Sequence, residues 1–194
     1  EPWTAIFNVP SWVQGTAPSD CATKDVPIDY DYDTCTVTGS GFSGATRVVK
    51  QGEGTLVLPD VEMTHSGNTD VWNGTLVFNG TMKKSSLWLN RHTSLRSSGT
   101  FRSIKADYGA TVYPGGDGQV GTLTTDSVTL GFGSRVVFDL KNDFTSDRLD
   151  TKVLTVETKS WKYGPKYLAP VFEFRGEEVQ PGRYPIGTAA TVQG

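Results

Sequence analysis

The sequence predicts an all-β chain wound as a short solenoid, and three observations carry that prediction. The unit Gly54-Thr55-Leu56-Val57-Leu58 returns as Gly74-Thr75-Leu76-Val77-Phe78, then as Gly99-Thr100-Phe101 and Gly121-Thr122-Leu123. The starts lie 20, 25 and 22 residues apart. A strand that returns at such a period marks coils that bury their apolar side only by stacking on one another. The second observation is composition: 22 glycines and 10 prolines among 194 residues require frequent turns. The third is periodicity, because apolar and polar residues alternate over short runs and no stretch longer than a turn repeats at helical spacing.

Residues 1–45 are expected to form an irregular N-terminal capping segment. Pro2, Pro10 and Pro18 argue against a helix. Trp3, Ala5 and Phe7 alternate as in one short strand. Trp3 and Trp12 are read as covers for the end of the stack, where a bare coil would leave an open sheet edge; a role as ligand platforms weighs less. Cys21 and Cys35 enclose a short polar loop with no His or further Cys nearby to complete a zinc site. A disulfide in an oxidising compartment is the favoured reading. It would constrain the unfolded chain by about 3 kcal/mol in the chain-entropy model. Asp29, Asp31 and Asp33 alternate with Tyr30 and Tyr32, so a strand would place the three carboxylates on one face. They form a weak Ca²⁺ candidate, since the glycine and bidentate Glu of an EF-hand loop are missing. A charged edge strand is the preferred reading.

Residues 46–140 are expected to hold the coils. A strand is read around Thr46–Lys50, and Pro59 closes the one that ends at Leu58. Leu76 and Phe78 should face the core, stacked on Leu56 and Leu58. Leu87 and Leu89 fall on one face with Trp88 on the other. Phe101, Ile104, Ala106, Ala110 and Val112 continue the apolar side, followed by strands at Leu123–Leu130 and Ser134–Leu140. Residues 141–194 are read as a C-terminal β cap with strands near Val153–Val156 and Val171–Phe174. An aromatic turn from Trp161 through Tyr163 to Tyr167 lies between them.

The run Gly52-x-Gly54-Thr55-Leu56-x-Leu58, then Gly67-Asn68-Thr69, then Val71-x-x-Gly74-Thr75-Leu76-x-Phe78, resembles the autotransporter-associated β-strand repeat of bacterial secreted and surface proteins. The resemblance covers about 30 residues well and extends weakly to about residue 140. It implies a right-handed parallel β-helix and an extracellular, cell-surface or periplasmic setting. The chain departs from the pattern where Asp70 is followed at once by Val71, which shortens the usual Gly/Thr-rich connection. Asp139-Leu140 through Leu154-Thr155-Val156, and Pro181-Gly182-Arg183-Tyr184-Pro185-Ile186, resemble the closing segment of the same class. No membrane barrel is present among these residues, so autotransport itself is not expected of them. The start at Glu1, without Met or a signal peptide, suggests a mature or excised fragment.

A net charge of −3 and no basic patch make nucleic acid an unexpected partner. No apolar run approaches the ~20 residues of a transmembrane helix. His65 and His92 lack a second ligand at metal spacing, and no Gly-x-Ser-x-Gly elbow is present. No metal or cofactor is expected. Asp139, Asp143, Asp147 and Asp150 lie close in sequence, with Arg148 and Lys152 beside them. Such a set suits hydrolysis or β-elimination of an acidic polysaccharide. That reading ranks last, because charges in a loop between strands are usually just solvated and fold analogy is a weak warrant. The aromatic residues suggest more. Sugar C–H faces pack on flat rings while amides and charges bond the hydroxyls, a composition found at Trp72 with Asn68, Asp70 and Asn73, and at Trp88 with Asn90 and Arg91. The Trp161, Tyr163 and Tyr167 turn is the third such candidate. The leading expectation is a non-catalytic module that acts as a spacer or interaction surface, partnered by a polysaccharide or by another domain of the same chain. The alternative is a glycan-binding accessory module of a polysaccharide-degrading protein.

Overall fold

A computed structural model describes residues 4–9, 28–31, 34–116, 118–157 and 168–194. The described residues contain strands and turns and no helix. The strands are β1 (Thr4–Asn8), β2 (Ile28–Asp31), β3 (Thr34–Val37), β4 (Arg47–Gln51), β5 (Thr55–Val57), β6 (Thr69–Val71), β7 (Thr75–Val77) and β8 (Thr81–Leu89). They continue as β9 (Ser94–Ser97), β10 (Thr100–Ala106), β11 (Thr111–Pro114), β12 (Thr122–Leu130), β13 (Arg135–Asp139), β14 (Arg148–Val156), β15 (Val171–Arg175) and β16 (Gly187–Gln193).

Two eight-stranded sheets result. The first runs β1-β4-β6-β8-β10-β12-β14-β16 and the second β15-β13-β11-β9-β7-β5-β3-β2. From β3 onward the chain enters the two sheets in strict alternation, and all neighbours pair in parallel except β2, which is antiparallel to β3. This is a short parallel β-solenoid: each coil lays one strand on each sheet.

The alternation in sequence explains the packing. In the second sheet, Cys35, Leu56, Leu76, Leu95, Val112 and Val136 are successive partners and all are buried. In the first, Val48, Thr69, Leu87, Ile104 and Val128 form the matching inward column. Leu58, Phe78 and Phe101 fill the space between, with the Phe78 and Phe101 rings edge to face at 5.6 Å. Each fully buried Leu or Phe contributes about 1.5–3 kcal/mol through lost apolar exposure. The expected stacking of Leu76 on Leu56, and the split of Leu87 and Leu89 from Trp88, are observed. The outer face of the second sheet carries a hydroxyl row, Thr34, Thr55, Thr75, Ser94 and Thr111.

The expected coil limits of 46 and 140 fall inside both sheets. At one end β1 and β3 already pair with β4 and β5. At the other, β14, β15 and β16 each add a parallel strand. The segments read as caps therefore supply end strands of their own. At the last pair, Phe138, Leu149, Leu154, Phe172, Ile186 and Ala189 line an apolar crevice of about 240 Å³. Trp3, Trp12, Cys21, Asp33, Trp161, Tyr163 and Tyr167 lie outside the described residues. Asp29 and Asp31 lie on β2, as the alternation predicts. Cys35, the expected partner of Cys21, is fully buried on β3.

Candidate functional site

The first sheet leads into the second through a corner that recurs in each coil. Trp72, Asn90, Asp107, Gly131 and Glu157 each follow an inward residue at the end of a strand, and their amides donate in series to the preceding coil: Trp72 to Lys50, Asn90 to Val71, Asp107 to Leu89, Gly131 to Ala106 and Glu157 to Leu130, at 2.8–2.9 Å. The corner turns by left-handed residues at Gly74 (φ 71°), His92 (φ 58°), Gly109 (φ 68°) and Gly133 (φ 61°). At Gly74 no side chain is tolerated, because a Cβ would run into the Gly54 carbonyl oxygen of the coil below. The His92 ring packs edge to face on Tyr108 at 5.4 Å.

This stacking gathers Trp72, Asn73, Asn90, Arg91 and Asp107, from three successive coils, around one lateral concavity of about 370 Å³. Trp72 is 44% exposed. The Asn73 side-chain amide donates to Glu53 at 3.3 Å, which fixes its orientation at the rim. Beneath the corner lies Lys50, which is 1% exposed. Its ammonium group donates to the carbonyls of Gln51 (2.8 Å), Gly52 (2.6 Å) and Asn73 (3.0 Å). Burial pulls its pKa down to about 8, with Glu53 pulling the other way. The backbone that presents Trp72 and Asn73 is thus clamped from inside.

Of the residues singled out in the sequence, Trp72, Asn73, Asn90 and Arg91 meet in this concavity. Trp88 lies beside it on the outer face of β8, but the Lys105 ammonium sits 4.9 Å from its ring centre, so that face already carries a cation. Asp70 does not join them. It is 2% exposed and ion-paired with Arg47 at 2.7 Å. Asn68 precedes β6 while Trp72 follows it, so the strand separates the two. Asp107 and Lys105 went unnoticed in the sequence. The signal lay in aligning strand ends: Val71-Trp72, Leu89-Asn90 and Ala106-Asp107 occupy equivalent places.

The acidic group near residue 140 has a different arrangement. Asp147 is wholly buried and accepts from the amides of Gly121 (2.8 Å) and Asp139 (2.9 Å). Burial raises its pKa to about 6, the two amide bonds opposing that shift. Asp139 accepts from the Gly118 amide at 2.5 Å. Arg148 pairs with Asp150 at 3.2 Å and Lys152 with Asp126 at 2.7 Å. Asp139 and Asp147 thereby tie Gly118 and Gly121 to the end of β13 and the start of β14. His65 is buried too; its Nε2 lies 2.9 Å from the Thr69 hydroxyl, which meets Ser85 at 3.0 Å. Desolvation holds its pKa below the ordinary value. Among the described residues no three His, Cys, Asp or Glu side chains gather in a way that could hold a metal ion. No helix among them is long and apolar enough to cross a membrane.

No protein-family model matches the chain, and comparison with curated proteins finds no match.

Proposed function

We propose that the chain is a non-catalytic β-solenoid module of a secreted or surface-attached bacterial protein, and that its lateral corner binds carbohydrate. One observation carries this reading: three coils converge Trp72, two amide side chains, a guanidinium and a carboxylate on one concavity. An exposed indole offers a flat apolar face for sugar C–H groups, and the amides and charges supply paired donors and acceptors for ring hydroxyls. A concave site with an apolar body and a few convergent polar groups is the form that small-ligand recognition takes. The clamped Lys50 beneath it keeps the backbone in place before a ligand arrives, which limits the ordering cost of binding. The resemblance of residues 52–82 to the autotransporter-associated repeat, and the expected Cys21–Cys35 disulfide, support the extracellular setting; peptide mapping with and without reductant checks the disulfide.

A glycan array followed by calorimetry tests the site. Selective binding should weaken by at least about tenfold in Trp72→Ala and in Asn90→Ala, the loss of roughly 1.4 kcal/mol or more. Trp88→Ala should weaken it less, because Lys105 covers that ring. Binding that ignores Trp72→Ala, or no binding across plant, microbial and host glycans by a folded protein, defeats the carbohydrate reading and leaves a spacer.

A further inference from the structure

The outer face of the first sheet gathers cations that no run of the sequence contains. Lys83 and Lys84 stand on β8, Arg102 and Lys105 on β10 and Lys152 on β14, and all five are exposed. Asp126 of β12 is set among them. Lys152 bonds it at 2.7 Å, and that bond, with the charges of Lys152, Lys83 and Arg102, holds its carboxyl below the ordinary aspartate value. The Arg102 guanidinium lies 3.5 Å from the Lys84 carbonyl oxygen. One carboxylate thus answers several cations, and the face keeps an excess of positive charge although the chain as a whole carries −3.

Register orders these groups along the strands. The shift between Phe101 and Ser103 leaves both Lys83 and Lys84 facing outward. Ser86, Ser103 and Ser127 are the next outward partners, and the Ser103 hydroxyl donates to Ser86 at 2.8 Å. Trp88 and Lys105 follow as partners, the ammonium group 4.9 Å from the ring centre. Asn90, Arg91 and Asp107 then open the corner concavity. From residue 84 to residue 90 this row spans about 20 Å at the rise of a strand. Its chemistry is mixed. Lysine and arginine pair with carboxylates, whereas the serines and Asp126 suit hydroxyl groups. A carboxylate in the middle of the row repels an unbroken line of phosphates but accepts from a sugar hydroxyl.

We propose that the corner continues onto this face as one binding track, and that its ligand is a polysaccharide carrying carboxylates, laid along β8 and β10 from Trp72 to Lys84 and Arg102. The proposal rests on the carbohydrate reading of the corner and adds the charge class of the ligand. Each exposed ion pair is worth little alone. A polymer holds their partners in a row, so the pairs act together.

Calorimetry of the intact chain with polygalacturonate, alginate and hyaluronate, each beside its methyl ester, tests the track. At least one acid polymer should bind at least about tenfold more tightly than its ester, which keeps the sugar backbone and removes the charge. Its affinity should fall at least about tenfold between roughly 0.05 and 0.5 M NaCl, a measurement that needs no variant. The triple variant Lys84→Gln, Arg102→Gln and Lys105→Gln should weaken the acid polymer at least about tenfold, while Trp72→Ala should weaken acid and ester alike. No acid polymer bound, an ester bound as tightly as its acid, an affinity indifferent to salt, or a triple variant equal to the wild type overturns the proposal. Single-stranded DNA bound as tightly as the acid polymer overturns it too, since an unselective cationic face does the same. In each of these cases, glycan binding that still falls in Trp72→Ala leaves the corner reading standing, and indifference to Trp72→Ala defeats both.

Discussion

Lys50 occupies an inward position of the first sheet, between Phe7 and Val71. Alternation along the strand read around Thr46–Lys50 puts Val48 and Lys50 on one face. What that reading could not contain was the set of three carbonyls, from two corners, that the ammonium group would meet. Its pKa of about 8 in the folded chain lies below the ordinary lysine value of 10.5. The folded state therefore binds this proton less tightly than the unfolded state, and stability rises with pH between those limits. Relative to Lys50→Met, the wild-type chain should gain up to about 3 kcal/mol between pH 8 and 10.5, read as the difference between two denaturation series. Asp147 has the opposite trend. Its folded pKa of about 6 exceeds the ordinary aspartate value of 3.8, so its contribution is fully present below pH 3.8 and is lost as pH rises through 6. Relative to Asp147→Asn, the wild type should lose about 3 kcal/mol across that window. The four aspartates near residue 140 were visible in the sequence as a cluster. That Asp139 and Asp147 fasten Gly118 and Gly121 was not, because the groups they hold are backbone amides.

At the scale of the element, the Gly-Thr-Leu unit was readable as a strand opener, but its four copies do not share one corner: those at Gly54 and Gly74 precede β5 and β7 of the second sheet, and those at Gly99 and Gly121 precede β10 and β12 of the first. The 25-residue step from Gly74 to Gly99 therefore passes from the second sheet to the first and is not one coil; separately, β8 shifts register against β10 between Phe101 and Ser103, which accommodates Lys83 and Lys84. The site was half legible. Trp72, Asn73, Asn90 and Arg91 stood out by residue type, whereas Asp107 joined them only through the register of strands far apart in sequence. The corner glycines offer a test of that register. Gly74→Ala meets both an unfavourable left-handed backbone and the Gly54 carbonyl, while Gly118→Ala meets only the backbone term, since open space surrounds it. Gly74→Ala should therefore be the more damaging substitution by at least about 2 kcal/mol, the backbone term alone costing roughly 1–2 kcal/mol. Chemical denaturation of the two variants decides it.

For the whole molecule, each coil bonds only to the coils beside it, so stability is a chain of neighbour terms. In the isolated chain, hydrogen exchange should be slowest in β8 and β10, which have partners on both sides, and fastest in β16. Equal protection along the stack would show a cooperative unit larger than the neighbour terms allow. The solenoid class was legible because it depends on local alternation and a repeated unit. The reach of the sheets to Gln193 was not, since β14 to β16 share no Gly-Thr-Leu signature and are recognised only by pairing. The register has one more consequence, for length. Thr75 and Ser94 are partners on adjacent strands, so excising residues 75–93 would bring Ser94 to the place that Thr75 held. Such a chain would be one storey lower by about 4.8 Å with its inward columns unbroken. Size here changes in steps, and a gene that gains or loses one coil resets the distance between the two ends of the molecule without redesigning either.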